Sequence, residues 1–235
     1  MRYAIIAAGE GSRLGQEGVA VAKPLVKVGG ETLLDRLLRI FMDNGATAIA
    51  VVCRPDKQVE QHLQRRQQEG LPLRYIVRTT PSSMHSMYEL VPLLGGDEPF
   101  VLTTVDTVFC ESDFRSYVAA MLQCLADGEA DGLMGVTDFI DDEKPLYVKI
   151  DVHQRIVAFQ DADSHPHYVS GGIYGLTPRS LVTLRACIER GEHRMRNFQR
   201  ALLDDGLRLK AWPFGKVLDV DHATDIAKAE AFLNE

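Results

Sequence analysis

Short apolar runs alternate with stretches of helical period along the first half of the chain. Residues 3–8, 48–53, 73–77 and 100–105 are rich in Val, Ile and Leu and carry little polar punctuation, the pattern of strands buried on both faces. Between the first two, Leu33, Leu34, Leu37, Leu38, Phe41 and Met42 recur at spacings of three and four. This predicts an amphipathic helix that stops at Asn44-Gly45. Residues 56–69 and 83–94 read as two further helices, the first highly charged. Strands and helices in strict alternation predict a parallel sheet with helices layered against it.

The pattern changes after residue 105. A helix over 112–126 precedes a strand at 132–136, a hairpin-like region runs to Leu176, and a helix over 223–233 closes the chain. This half is α+β in character. No internal repeat, linker or low-complexity tract interrupts the sequence. The expectation is an α/β fold in which residues 1–235 form one three-layer domain around a mixed, mostly parallel sheet.

Composition narrows the partners. A formal net charge of −7, with basic residues dispersed along the chain, argues against nucleic acid. Cys53, Cys110, Cys124 and Cys187 are far apart, so neither a zinc site nor a disulfide framework is indicated. The first apolar run is too short for a signal peptide, and no later run approaches a membrane span, so a cytoplasmic location and no membrane partner are expected. Oligomeric state is not legible.

Residues 7–25, AAGEGSRLGQEGVAVAKPL, place bare backbone beside positive charge directly after a strand. Backbone N–H groups freed by glycine hold phosphate well at such a place. A dinucleotide fingerprint would need a third glycine and an immediate helix; Gly15, Gly18 and Pro24 predict an irregular loop instead, and the second strand ends in Arg54 where an acid would stand. A P-loop would need Lys-Ser/Thr after the second glycine, and it is absent. The remaining reading has Gly9 and Gly11 wrapping a triphosphate, Arg13 reaching its outer phosphates and Lys23, held by Pro24, meeting it from the far side of the loop.

The stretch AAGEGSRLGQEGVAVAKPLVKVGGETLLDRLL resembles the nucleotidyltransferase signature Ala-Ala-Gly-x-Gly-x-Arg, loop, Pro-Lys-Pro-Leu, shared by sugar-1-phosphate nucleotidylyltransferases and phosphocholine cytidylyltransferases. Ala22 departs from it, standing where the family commonly has proline. The resemblance implies a nucleotide-diphospho-sugar transferase-like fold. It also implies transfer of a nucleoside monophosphate from a nucleoside triphosphate (NTP) to a small phosphorylated acceptor. Ala7, Ala8, Gly9 and Gly11 then belong to the nucleotide site, with Arg13 and Lys23 catalytic. A glycosyltransferase with a related sheet would carry Asp-x-Asp where this chain has Asp106-Thr-Val. A non-catalytic nucleotide sensor would be expected to lose Lys23, Asp106 or Asp221, all of which are present.

Joining two polyanions calls for a divalent cation, expected to be Mg2+. Asp106 follows an apolar strand at the edge where open α/β sheets bind ligands, though a turn-forming aspartate would look the same. Asp219 and Asp221, two apart on an extended segment, face one side. The resemblance puts the second metal ligand on Asp221, which could otherwise be a helix cap, and leaves Asp219 as a supporting group. In the family the segment PSSMHSMYEL, residues 81–90, reads the base. Ser82, Ser83 or Ser86 could make that contact, with capping as the plainer role; Ser86 is the nucleotide candidate.

By the same resemblance, Ser170 and Gly171 of YVSGGIYGL are acceptor-side residues, a β-bulge being the alternative. Asp161 and Ala162 fall where hexose-activating members read Glu-Lys, so a hydroxyl-binding acid survives and the phosphate-binding cation does not. Lys149, in the preceding LYVKID segment, is the candidate replacement. His165 and His167 flank Pro166 and read as an exposed loop, not a metal pair.

Overall fold

A computed structural model describes residues 1–141, 144–164 and 166–235. In chain order the first half contains β1 (Arg2–Ala7), α1 (Ser12–Gln16), β2 (Lys27–Val28), β3 (Glu31–Thr32), α2 (Leu33–Asp43), β4 (Ala48–Cys53), α3 (Lys57–Gln68), β5 (Leu73–Val77), α4 (Ser83–Leu94), β6 (Phe100–Thr104), β7 (Thr107–Phe109) and α5 (Glu111–Ala126). The second half adds β8 (Gly132–Thr137), β9 (Tyr147–Ile150), β10 (Ile156–Gln160), β11 (Tyr168–Leu176), α6 (Ser180–Glu189), α7 (Met195–Asp204), β12 (Leu209–Phe214), β13 (Val217–Asp219) and α8 (Ala223–Leu233).

The main sheet runs β10-β9-β11-β6-β1-β4-β5, with β8 joined to β11 and β12 joined to β8. Strands β6, β1, β4 and β5 are parallel, whereas β11 is antiparallel to β6, β8 and β9. Alternation along β1 divides the core. Tyr3, Ile5 and Ala7 point into one apolar cluster with α2 and α5, and Ala4, Ile6 and Ala8 into a second with α4, α6 and α7. A strand covered on both faces cannot alternate in polarity, which explains the unbroken apolar runs.

Helix α2 buries Leu33, Leu34, Leu37, Leu38 and Phe41, each fully buried side chain contributing about 1.5–3 kcal/mol. Its Thr32 caps the first turn through the Asp35 N–H. Two positions depart from the predicted stripe: Met42 is exposed, and Arg36 takes a place on the buried face. Phe41 stacks on Tyr3 and on Phe114, which stacks on Phe109, so α2, β1, α5 and β7 share one aromatic cluster.

The opening loop also departs from expectation. Residues 12–16 form a short helix in place of irregular chain, started by Gly11 in the left-handed conformation (φ 60°) and anchored by the buried Leu14. A side chain at Gly11 would also bring its Cβ to 3.0 Å from that of Lys23. The apolar anchor outweighs the poor helix propensity of Gly15. All four cysteines are free thiols. Among the described residues no helix is long and apolar enough to cross a membrane.

Candidate active site

The carboxyl ends of β1 and β6 open onto a cavity of about 540 Å³ lined by Ala7, Ala8, Gly9, Lys23, Ser86 and Asp106, together with Arg54 and the segment 79–83. This is the edge at which parallel α/β sheets bind ligands. A second cavity, about 270 Å³, is lined by Arg13, Asp219 and Asp221, by Ser170 and Gly171 of β11, and by Lys228 of α8.

A small ribbon brings the acidic residues together. Strand β13 lies antiparallel to β7 with Asp219 opposite Thr107, and the next N–H, of Val220, donates to the Asp106 carbonyl at 3.1 Å. Asp106 and Asp221 are thus held side by side by backbone hydrogen bonds. Arg36, buried on α2, secures this ribbon by donating to the Phe109 carbonyl at 2.6 Å. Gly172 (φ 70°) packs against it, where an added Cβ would lie 3.2 Å from Thr107 Oγ1.

Lys23 completes the cluster. It sits on a single 3-10 turn, Lys23–Leu25, with its side chain buried. Its ammonium donates to Asp106 Oδ2 and, at 2.6 Å, to Asp221 Oδ1, while Arg13 Nη1 reaches Asp221 Oδ2 at 3.1 Å. Burial pulls the Lys23 pKa down, but Asp106 and Asp221 outweigh it and the net shift is upward, so the group stays charged. Asp219 shows surface to the second cavity, yet its carboxyl is hemmed in by protein. That burial, then the charges of Asp106 and Asp221, push it up to about 7, against a hydrogen bond from Thr107 at 3.2 Å.

Asp106 and Asp221 present oxygens to one point, and a cation, the Lys23 ammonium, already sits there. Hard oxygen donors of this kind suit Mg2+. Among the described residues no group of three or more His, Cys, Asp or Glu side chains is arranged to hold an ion by itself, so phosphate oxygens and water would complete the shell. The donor set fits the expected ion on those terms.

Other expected residues fall as follows. Gly11 lines neither cavity and acts through its packing on Lys23. Ser82 caps α4 through the His85 N–H, whereas Ser86 is buried and shares a hydrogen bond with Thr80 at 2.6 Å. Ser170 Oγ donates to Gln199 Oε1 at 3.1 Å. Asp161 is not brought to the acceptor side: it lines neither cavity and is engaged by Arg196 (2.5 Å) and Arg200 (2.8 Å) of α7, a structural employment in place of the expected hydroxyl contact. Lys149 is exposed on β9, away from both cavities. His167 lies beside the Tyr168 ring, and His165 lies outside the described residues.

Sequence reasoning missed Glu17, whose carboxylate accepts from the Ala223 N–H at 2.6 Å and meets His222 Nδ1 at 2.6 Å, tying the glycine-rich loop to the start of α8. An acid inside the glycine-rich loop was its available signal. Arg36 was missed as well, though an arginine within an apolar stripe marks an unusual position.

Residues 3–205 match the MobA-like NTP transferase domain. The chain belongs to that family. Two solved structures are similar over this chain's whole length and 96% of their own: the inositol-1-phosphate CTP transferase of Thermotoga maritima (18% identity, TM-score 0.79) and a protein from Bacillus anthracis described as a glucose-1-phosphate thymidylyltransferase, crystallised with sucrose (20% identity, TM-score 0.85). The MobA-like chain therefore has the nucleotide-diphospho-sugar transferase fold. A curated relative, the CMP-5'-(3-aminopropyl)phosphonate synthase of Streptomyces rubellomurinus, is 26% identical over 159 residues, 61% of this chain and 25% of that protein. The matched stretch thus spans about a quarter of that relative's length.

Proposed function

We propose that this protein is a magnesium-dependent nucleotidylyltransferase that moves a nucleoside monophosphate from an NTP to a small phosphorylated or phosphonylated acceptor, releasing pyrophosphate. The convergence of Lys23, Asp106 and Asp221 on one point between the two cavities carries this reading. The cavity at Ala7–Gly9 and Ser86 takes the nucleotide, and the smaller one at Ser170 and Gly171 takes the acceptor.

In the reaction an acceptor oxygen forms a bond to the α-phosphorus as the bond to the α–β bridging oxygen breaks, and the electron pair leaves with pyrophosphate. Backbone N–H groups of the Ala7–Gly9 segment hold the triphosphate, Gly11 shapes the loop around Lys23, and Arg13 and Lys23 stabilise the charge that builds on the leaving group. Asp106 and Asp221 would hold Mg2+, which when bound supplies charge neutralisation at the α-phosphate. No covalent enzyme intermediate is required; orientation and charge perform the catalysis.

Pyrophosphate release measured across four NTPs and a panel of glucose 1-phosphate, inositol 1-phosphate, phosphocholine and 3-aminopropylphosphonate tests the reading. One pairing should give saturable turnover that a chelator abolishes. No pyrophosphate release from any pairing would overturn the assignment.

A further inference from the structure

We infer that Lys228 of α8 is the cation that receives the trailing phosphate or phosphonate oxygens of the acceptor, an inference that rests on the nucleotidyl-transfer reading above. A dianionic acceptor needs a positive partner within the smaller cavity. Among the described residues lining the smaller cavity, the Arg and Lys side chains are Arg13 and Lys228, facing Asp141, Asp219, Asp221 and Asp225. Arg13 is engaged with Asp221, and the third basic group, His222, faces Glu17.

The position of Lys228 is tied to the reacting centre through one carboxylate. Asp225 Oδ2 accepts from the N–H groups of Asp221 (3.2 Å) and His222 (2.8 Å), while its Oδ1 lies 3.2 Å from Lys228 Nζ. The acceptor must put one oxygen beside the Asp106–Asp221 pair. Its other oxygens then lie on the cavity side of Asp221, where Lys228 stands. The second partner of Lys228 is Asp141 Oδ2 at 2.9 Å, on an exposed residue. Exposed ion pairs of this kind are worth little, so an incoming oxyanion can take the place of Asp141 at small cost. Asp225, holding two backbone N–H groups as well, stays where it is. Lys228 thus waits on a weak partner that the acceptor replaces.

Steady-state kinetics of the full-length protein, with the acceptor found in the panel, test this. Lys228→Ala should raise the acceptor KM by roughly 10- to 100-fold, the worth of one charge-assisted contact, with the NTP KM unchanged. Lys228→Arg should restore most of the loss. Asp141→Asn should leave the acceptor KM unchanged or lower it. Lys228→Gln, which keeps the aliphatic stem, repeats the measurement if alanine impairs folding. A wild-type acceptor KM in Lys228→Ala and Lys228→Gln would overturn the inference. So would an Asp141→Asn defect equal to theirs, since the pair would then be a structural strap. Failure of the wild-type protein to use any acceptor in the panel is a separate result that removes the functional reading, and this inference with it.

Discussion

The ammonium of Lys23 lies 2.6 Å from Oδ1 of Asp221, a residue 198 positions further along the chain. The same ammonium also contacts Asp106, so a single buried cation holds two carboxylates that would otherwise repel each other. The glycine-rich loop, β6 and the start of α8 are therefore joined at one electrostatic point, which the proposed reaction uses.

Replacing that cation should separate catalysis from stability. Lys23→Ala is expected to lower kcat by roughly 10²-fold or more, the usual loss when a charge stabiliser is removed. Its thermal midpoint should also fall in chelator and recover on addition of Mg2+, because the ion neutralises the carboxylates that the missing ammonium leaves exposed to each other. Thermal denaturation with and without Mg2+ checks this; a midpoint insensitive to the ion would show that the two carboxylates do not form its site.

The three carboxylates should be unequal. Asp106→Asn and Asp221→Asn are expected to abolish Mg2+-dependent turnover, while Asp219→Asn, whose partner is Thr107 and not Lys23, should be milder. Turnover measured against Mg2+ concentration ranks them, and an Asp219 variant worse than the Asp221 variant would reverse the assignment.

Asp161→Asn should leave the acceptor KM unchanged. Its carboxylate is engaged by Arg196 and Arg200 and lines neither cavity, so the amide alters packing between β10 and α7 and not the acceptor site. A rise in acceptor KM without a change in NTP KM would return Asp161 to the acceptor side.

Acid should act through Asp35. Burial raises its pKa, but hydrogen bonds from Arg66 (2.8 Å) and His62 (2.7 Å) and the Thr32 contact outweigh this, leaving it below the ordinary value of 3.8. With the native pKa below the unfolded one, its stabilisation is fully present above pH 3.8 and is lost as pH falls through the native pKa. Denaturant titrations from neutral pH downward should show that slope reduced in Asp35→Asn, and an unchanged slope would remove Asp35 from the acid response.

Much of the fold was readable because period and burial are local consequences of composition. Unbroken apolar runs gave β1, β4, β5 and β6, Asn44-Gly45 ended α2 within a residue, and α4 and α8 have the predicted bounds. Ribbons of two or three residues such as β7 and β13 carry no period, since their pairing depends on a partner more than a hundred residues away. That pairing also decided which acids meet. Spacing put Asp219 and Asp221 on one side, but only the Val220-to-Asp106 hydrogen bond set Asp221 beside Asp106.

By itself the sequence determined a glycine-rich loop after a strand, a lysine held by proline, and acids at strand ends, because each is set by residue identity and by neighbours a few positions away. Tertiary structure decided the rest: that Lys23 is buried between two carboxylates, that Asp161 pairs with arginines of α7, and that Lys228 faces the smaller cavity in place of Lys149. The physical reason is range. Strand and helix periods are set by neighbours a few residues apart, whereas the charge balance of a cavity depends on which distant side chains the sheet topology brings within a few ångströms of one another.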